Sequence, residues 1–101
     1  MAPRPSDPLL DAFGAAVRDL RHRRGLSQEA LARIAEVERT YLTEVELGRR
    51  NVTLLNVGRL ATALGVGVGE LMTVAEGHLA AGSGTGDTGR DAWSDDARGG
   101  G

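Results

Sequence analysis

Residues 27–48 read SQEALARIAEVERTYLTEVELG, and this stretch decides the fold. Ser27 is a favourable helix N-cap. Gln28 and Glu29 fill the first turn behind it, and Leu26 and Leu31 stand at the two positions of a hydrophobic staple. A helix therefore begins at Gln28 and ends near Ala35. A second helix covers about 39–47 and stops at Gly48. Leu31 and Ala35 point inward from the first helix. Ala32 falls where the two helices cross, and its methyl side chain permits close approach. Val37 plugs the turn, and Leu42 and Val45 are the inward face of the second helix. This order of small and apolar residues fixes two short helices at a steep angle. With Leu42 and Val45 inward, Arg39, Thr40, Thr43, Glu44 and Leu47 are forced outward. The major groove of duplex DNA is wide enough to admit such a helix face.

Outward from this unit, the first 75 residues read as helices with no convincing strand. Ser6 or Asp7 can cap a first helix, with Pro8 near its first position. Leu10, Phe13, Val17 and Leu20 recur at helical spacing and form one apolar stripe, and Gly25 ends the helix. Beyond Asn51, Thr53 caps a fourth helix expected to bury Leu54, Val57, Leu60, Ala61 and Leu64 before Gly65. A short fifth helix over 68–74 offers Leu71 and Met72, and Gly67 and Gly69 weaken it. The expected core is Phe13, Val17, Leu20, Leu31, Ala35, Val37, Leu42, Val45, Leu60, Leu64, Val66 and Leu71. The fold class is all-α, a compact five-helix bundle.

From Gly77 the sequence becomes GHLAAGSGTGDTGRDAWSDDARGGG. It carries almost no apolar periodicity and cannot bury enough surface to offset ordering entropy. The expected organisation is a flexible N-terminus over 1–7, a domain over 8–75 and a disordered Gly/Asp-rich tail over 76–101. Trp93, the only Trp, lies in that tail, either as an incidental aromatic or within a docking motif, DAWSDD.

Bulk properties bound the function. The chain has 101 residues and no Cys, which excludes disulfides and thiolate metal sites. His22 and His78 are far apart in sequence, so no metal site is expected. No apolar run is long enough to span a membrane, and MAPRPSDPLL lacks the continuous apolar core of a signal peptide. A cytoplasmic, nucleoid-associated protein is the expectation. Net charge is −2, but residues 1–75 hold ten Arg against nine acids, while 76–101 hold two Arg against five. The acidic excess belongs to the tail. Every basic residue is Arg, the better bidentate partner for phosphate and guanine. No His/Cys/Asp cluster, phosphate loop or carboxylate pair suggests catalysis, and no cofactor is expected.

The segments VRDLRHRRGLSQEALA, RTYLTEVELGRRN and LATALGV resemble the Cro and phage-repressor type of helix-turn-helix domain, also called the xenobiotic-response-element family. The similarity covers roughly 60 residues, from Phe13 to Met72. Within the family, RTY followed by GRRNVTLLNV is most similar to the controller proteins of restriction–modification operons. The resemblance implies a lambda-repressor-like DNA-binding fold. It implies that Arg39, Thr40 and Glu44 read bases, with Thr43 beside them. Arg39 would pair with guanine, and Glu44 would accept from cytosine N4. It implies phosphate contacts from Ser27 and Gln28 at a helix N-terminus, from Tyr41 at the edge, and from Arg49, Arg50 and Asn51 in the following loop. Arg21 and Glu46 match a structural pair tying the first and third helices together.

Two acids depart from the family pattern. Position 36 is most often Gly there, because the turn prefers a left-handed backbone. A non-Gly residue in that conformation costs on the order of 1 kcal/mol. Position 38 is usually Ser or Thr, and Glu38 is a poorer cap whose charge opposes a nearby phosphate.

The expected function is a sequence-specific DNA-binding regulator, acting as a homodimer on a near-palindromic operator. Leu54, Leu55, Val68, Leu71 and Met72 are expected to form the dimer surface. The alternative is a protein-interaction module, antitoxin-like or adaptor, with weakened DNA binding and a protein partner on the acidic tail.

Overall fold

The computed structural model describes residues 7–82. Asp7 caps the first helix, its Oδ1 accepting from the Leu9 N–H at 2.8 Å, with Pro8 in the first turn. That helix, α1, spans Pro8–Arg23. α2 spans Gln28–Ala35 behind Ser27, whose Oγ accepts from the Ala30 N–H at 3.0 Å. α3 spans Arg39–Glu46. α4 spans Leu54–Leu64, capped by Thr53 Oγ1 accepting from the Asn56 N–H at 3.2 Å, and α5 spans Val68–Gly82. There is no strand among the described residues. Three of the helix starts follow directly from capping chemistry in the sequence. The expectations for residues 1–6, and for 83–101 with Trp93 and DAWSDD, fall outside the described residues.

One core joins all five helices. Phe13, Val17, Leu20, Leu31, Ala35, Leu42, Val45, Leu60, Leu64 and Leu71 are buried, as expected, together with Ala16, Ala32, Ala61, Ala63 and Ala75. Val37 and Val66 are half-buried and pack against this cluster. Leu54 does not join it. It stands 80% exposed on the first turn of α4, because the inward stripe of that helix begins at Val57 and continues through Leu60, Ala61 and Leu64.

α1 and α3 approach closely at Gly14. A Cβ there would meet the Val45 carbonyl oxygen and lie 2.7 Å from that of Glu46. No side chain fits between those backbones. This positions α3, and through it the outward face of the two-helix unit.

α5 is longer than the sequence suggests. It continues as helix through Gly82, past the expected end at Val74 and the domain boundary expected after Ala75. Its extra turns lie along α1. Ala75 is fully buried, and His78 Nε2 lies 3.5 Å from Asp19 Oδ2 on α1. Packing against α1 supplies the stabilisation that the sequence pattern of α5 does not advertise. Among the described residues no single helix is long and apolar enough to cross a membrane.

Candidate nucleic-acid interface

The two-helix unit turns on Glu36. The residue adopts φ 62°, ψ 43°, and it is the only non-Gly residue with positive φ among the described residues. Its N–H bonds the Arg33 carbonyl at 3.2 Å, and the next N–H, of Val37, reaches the Ala32 carbonyl at 2.9 Å. The left-handed turn that usually takes Gly is thus made with Glu, whose side chain is exposed. Glu38 is the N-cap of α3 and makes no side-chain cap bond. Both acids sit at the leading edge of α3, Glu36 as the C-cap of α2 and Glu38 as the N-cap of α3.

Beneath α3 lies a buried ion pair. Arg21 Nε donates to Glu46 Oε2 at 2.7 Å and its Nη2 to Oε1 at 3.0 Å, with side chains 9% and 3% exposed. The third prong, Nη1, donates to the Leu26 carbonyl at 3.0 Å. The guanidinium thereby ties α1, the loop before α2 and the end of α3 into one frame. This is the pair expected from the resemblance.

The pair extends further than expected. Gln28 Nε2 donates to Glu46 Oε1 at 2.9 Å, and Thr43 Oγ1 donates to Gln28 Oε1 at 3.0 Å. Gln28 and Thr43, expected as a phosphate contact and a neighbour of the base readers, also brace each other. A chain of hydrogen bonds runs Arg21–Glu46–Gln28–Thr43. The helical spacing of Thr43 and Glu46 puts them on one side of α3, and that spacing is the only trace of this chain in the sequence.

On the outward face, Arg39 and Thr40 are exposed, and Thr43 and Glu44 are half-buried. Arg39 Nη1 lies 3.9 Å from Glu29 Oε2, a loose contact between two exposed side chains. Glu44 Oε1 lies 3.2 Å from Arg50 Nε. Arg50 Cζ stands 5.0 Å from the centre of the Tyr41 ring, and Asn56 Nδ2 donates to the Tyr41 hydroxyl at 3.0 Å. The structure therefore gathers Tyr41, Glu44 and Arg50 into one cluster, with Asn56 from α4, a residue the sequence reading missed. Arg49, Arg50 and Asn51 are exposed in the loop after α3. Ser27 and Gln28 lie at the start of α2, where backbone N–H groups favour an anion.

The residues expected at a dimer surface divide. Leu55 is 73% exposed, Val68 is exposed and Met72 is half-buried. Leu71 is fully buried in the core and cannot line a surface, because the inward face of α5 places it with Ala75. Of the expected dimer residues, Leu54, Leu55 and Val68 are exposed.

Comparison with known proteins agrees with this geometry. A family model described as a helix-turn-helix domain matches residues 12–73. The control protein C.MunI of Mycoplasma sp is 37% identical over 65 residues, which cover 63% of this chain and 88% of that protein. The crystal structure of the restriction-modification controller protein C.AhdI from Aeromonas hydrophila is similar at 48% identity and TM-score 0.60, covering 61% of this chain and 94% of that one. The clp gene regulator ClgR of Corynebacterium glutamicum is similar at 30% identity and TM-score 0.75, covering 91% of this chain and 97% of that one. With its capped α2, its left-handed turn at Glu36 and its braced α3, the chain belongs to the helix-turn-helix domain family, with restriction–modification controller proteins among its relatives.

Proposed function

We propose that this protein is a sequence-specific DNA-binding transcription regulator that acts from the cytoplasm on the nucleoid, as a homodimer, with α3 in the major groove. The observation that carries this reading is the outward face of α3, held rigid from below by the Arg21–Glu46 pair. Arg39 and Glu44 on that face are suited to guanine and cytosine edges, and Thr40 and Thr43 fill the space between them. Arg49, Arg50, Asn51 and the α2 N-terminus flank the face and contact phosphates. One protomer offers few phosphate contacts, so useful affinity at cellular salt requires two. Leu54 and Leu55 on α4 and Val68 on α5, all exposed, supply the dimer surface.

Relatives named as control proteins or gene regulators favour this reading over an antitoxin-like or adaptor module. Selection from randomised duplex DNA at two salt concentrations tests it. A near-palindrome with half-sites about one helical turn apart, ~34 Å, is the expected result. No enrichment at either salt would overturn it.

A further inference from the structure

Arg50 is a cation in a position to grip phosphate, yet the chain already neutralises it. Glu44 on α3 pairs with it at 3.2 Å, the Tyr41 ring lies against its guanidinium at 5.0 Å, and Asn56 fixes the Tyr41 hydroxyl at 3.0 Å. Arg49, its neighbour, has no ion pair among the described residues. Two adjacent Arg residues in one loop are thus held in different states. The partner of Arg50 is itself the base-facing carboxylate of α3.

We propose that the Glu44–Arg50 pair is a gate that makes one phosphate contact depend on the base sequence. On non-cognate DNA, moving Arg50 to a phosphate leaves Glu44 unpaired inside a strongly negative groove. Arg50 therefore stays with Glu44 and contributes nothing to non-specific affinity. On the cognate site a cytosine amino group takes over the Glu44 carboxylate. Arg50 is then released to the backbone without leaving a bare carboxylate behind. Specificity is a difference of affinities, and the gate acts by lowering the non-cognate one. This inference rests on the proposed regulator function and assigns its discrimination to a named pair.

The test compares wild type, Glu44→Gln, Arg50→Ala, the double variant and Arg49→Ala. Each is titrated with the selected operator and with a non-cognate duplex of equal length, over a range of salt. All the replaced side chains are partly or fully exposed. With Glu44→Gln, non-cognate binding is expected to strengthen severalfold. One released counterion corresponds to roughly eightfold per protomer at 0.1 M salt and to a slope steeper by ~0.9. That gain is expected to vanish in the double variant. Arg50→Ala alone is expected to weaken binding to both duplexes, on the operator through the lost phosphate contact and on the non-cognate duplex through the bare Glu44 carboxylate, and Arg49→Ala also weakens both. A double variant that binds the non-cognate duplex more weakly than wild type would overturn the gate. So would a double variant that binds the non-cognate duplex as tightly as Glu44→Gln. A wild-type chain that selects no operator would overturn the regulator reading, and the gate with it.

Discussion

Arg21 and Glu46 lie 25 residues apart in the chain and meet through two hydrogen bonds, of 2.7 and 3.0 Å, beneath the helix that faces outward. The pair is almost wholly removed from water, so its two charges depend on each other. Removing one partner leaves the other buried and uncompensated, at a cost of about 3–5 kcal/mol. Glu46→Ala is therefore expected to lower Tm by ten degrees or more, at roughly 4–8 °C per kcal/mol for a domain of this size. Replacing both residues together, as Arg21→Met with Glu46→Leu, is expected to recover most of the loss. Thermal unfolding of wild type and the two variants checks this. Equal destabilisation by the single and double changes would show that the pair is not coupled.

Gly14 and Gly58 predict opposite outcomes for the same substitution. At Gly14 a methyl group would strike the backbone carbonyls of α3, which cannot yield as a flexible side chain would. Gly14→Ala is expected to destabilise by about 1–3 kcal/mol, by forcing α1 and α3 apart. At Gly58, within α4, nothing lies within 4 Å of the added Cβ. Gly58→Ala is expected to stabilise by about 0.4–1 kcal/mol through reduced freedom of the unfolded chain. Urea unfolding resolves both signs.

The acids at the leading edge of α3 predict a gain from their removal. Glu36 holds a left-handed backbone that Gly adopts without steric penalty, and Glu38 leaves its helix without a side-chain cap bond. Glu36→Gly combined with Glu38→Ser is expected to raise stability by about 1 kcal/mol and to tighten operator binding. The salt slope should steepen as charge opposing the phosphates is lost. Unchanged or weaker operator affinity would contradict the role given to these two positions.

Leu71 and Leu55 separate core from surface on α5 and α4. Leu71→Ala is expected to cost about 2–5 kcal/mol, because the side chain is fully buried. Leu55→Asp, together with Leu54→Asp, is expected to leave the protomer folded and to convert dimer to monomer. Circular dichroism and sedimentation equilibrium distinguish the two effects. A dimer that survives both aspartates would place the subunit contact elsewhere.

Much of this architecture is legible in the sequence. Asp7, Ser27 and Thr53 announce three helices by capping chemistry, and Gly65, at φ 76°, ends α4 where the sequence places the break. The inward residues of α2 and α3 were readable because their spacing permits only one buried face. The start of α5 and its inward Leu71 were readable too, but its length was not, since its glycines weaken helix propensity and its later turns are held by contacts with α1, distant in sequence. The close approach at Gly14 was not readable, since Gly58 stands equally inside a helix with nothing near its Cβ position. Leu54 misled because a Leu in the first turn of a helix need not lie on its inward stripe. The Tyr41–Arg50–Glu44 cluster was only half visible. Its residues were identified as DNA contacts, but their engagement with one another depends on how the loop folds back over α3.

The most direct test concerns Arg39. Operator affinity is measured for wild type and Arg39→Ala, on the selected site and on a set of duplexes with each base pair changed in turn. If α3 reads bases, wild type loses about 1–3 kcal/mol at a guanine in each half-site. Arg39→Ala then binds more weakly and becomes indifferent at that position alone. A variant that binds the operator as tightly as wild type, or that loses affinity equally on every duplex, would contradict the placement of α3 in the major groove.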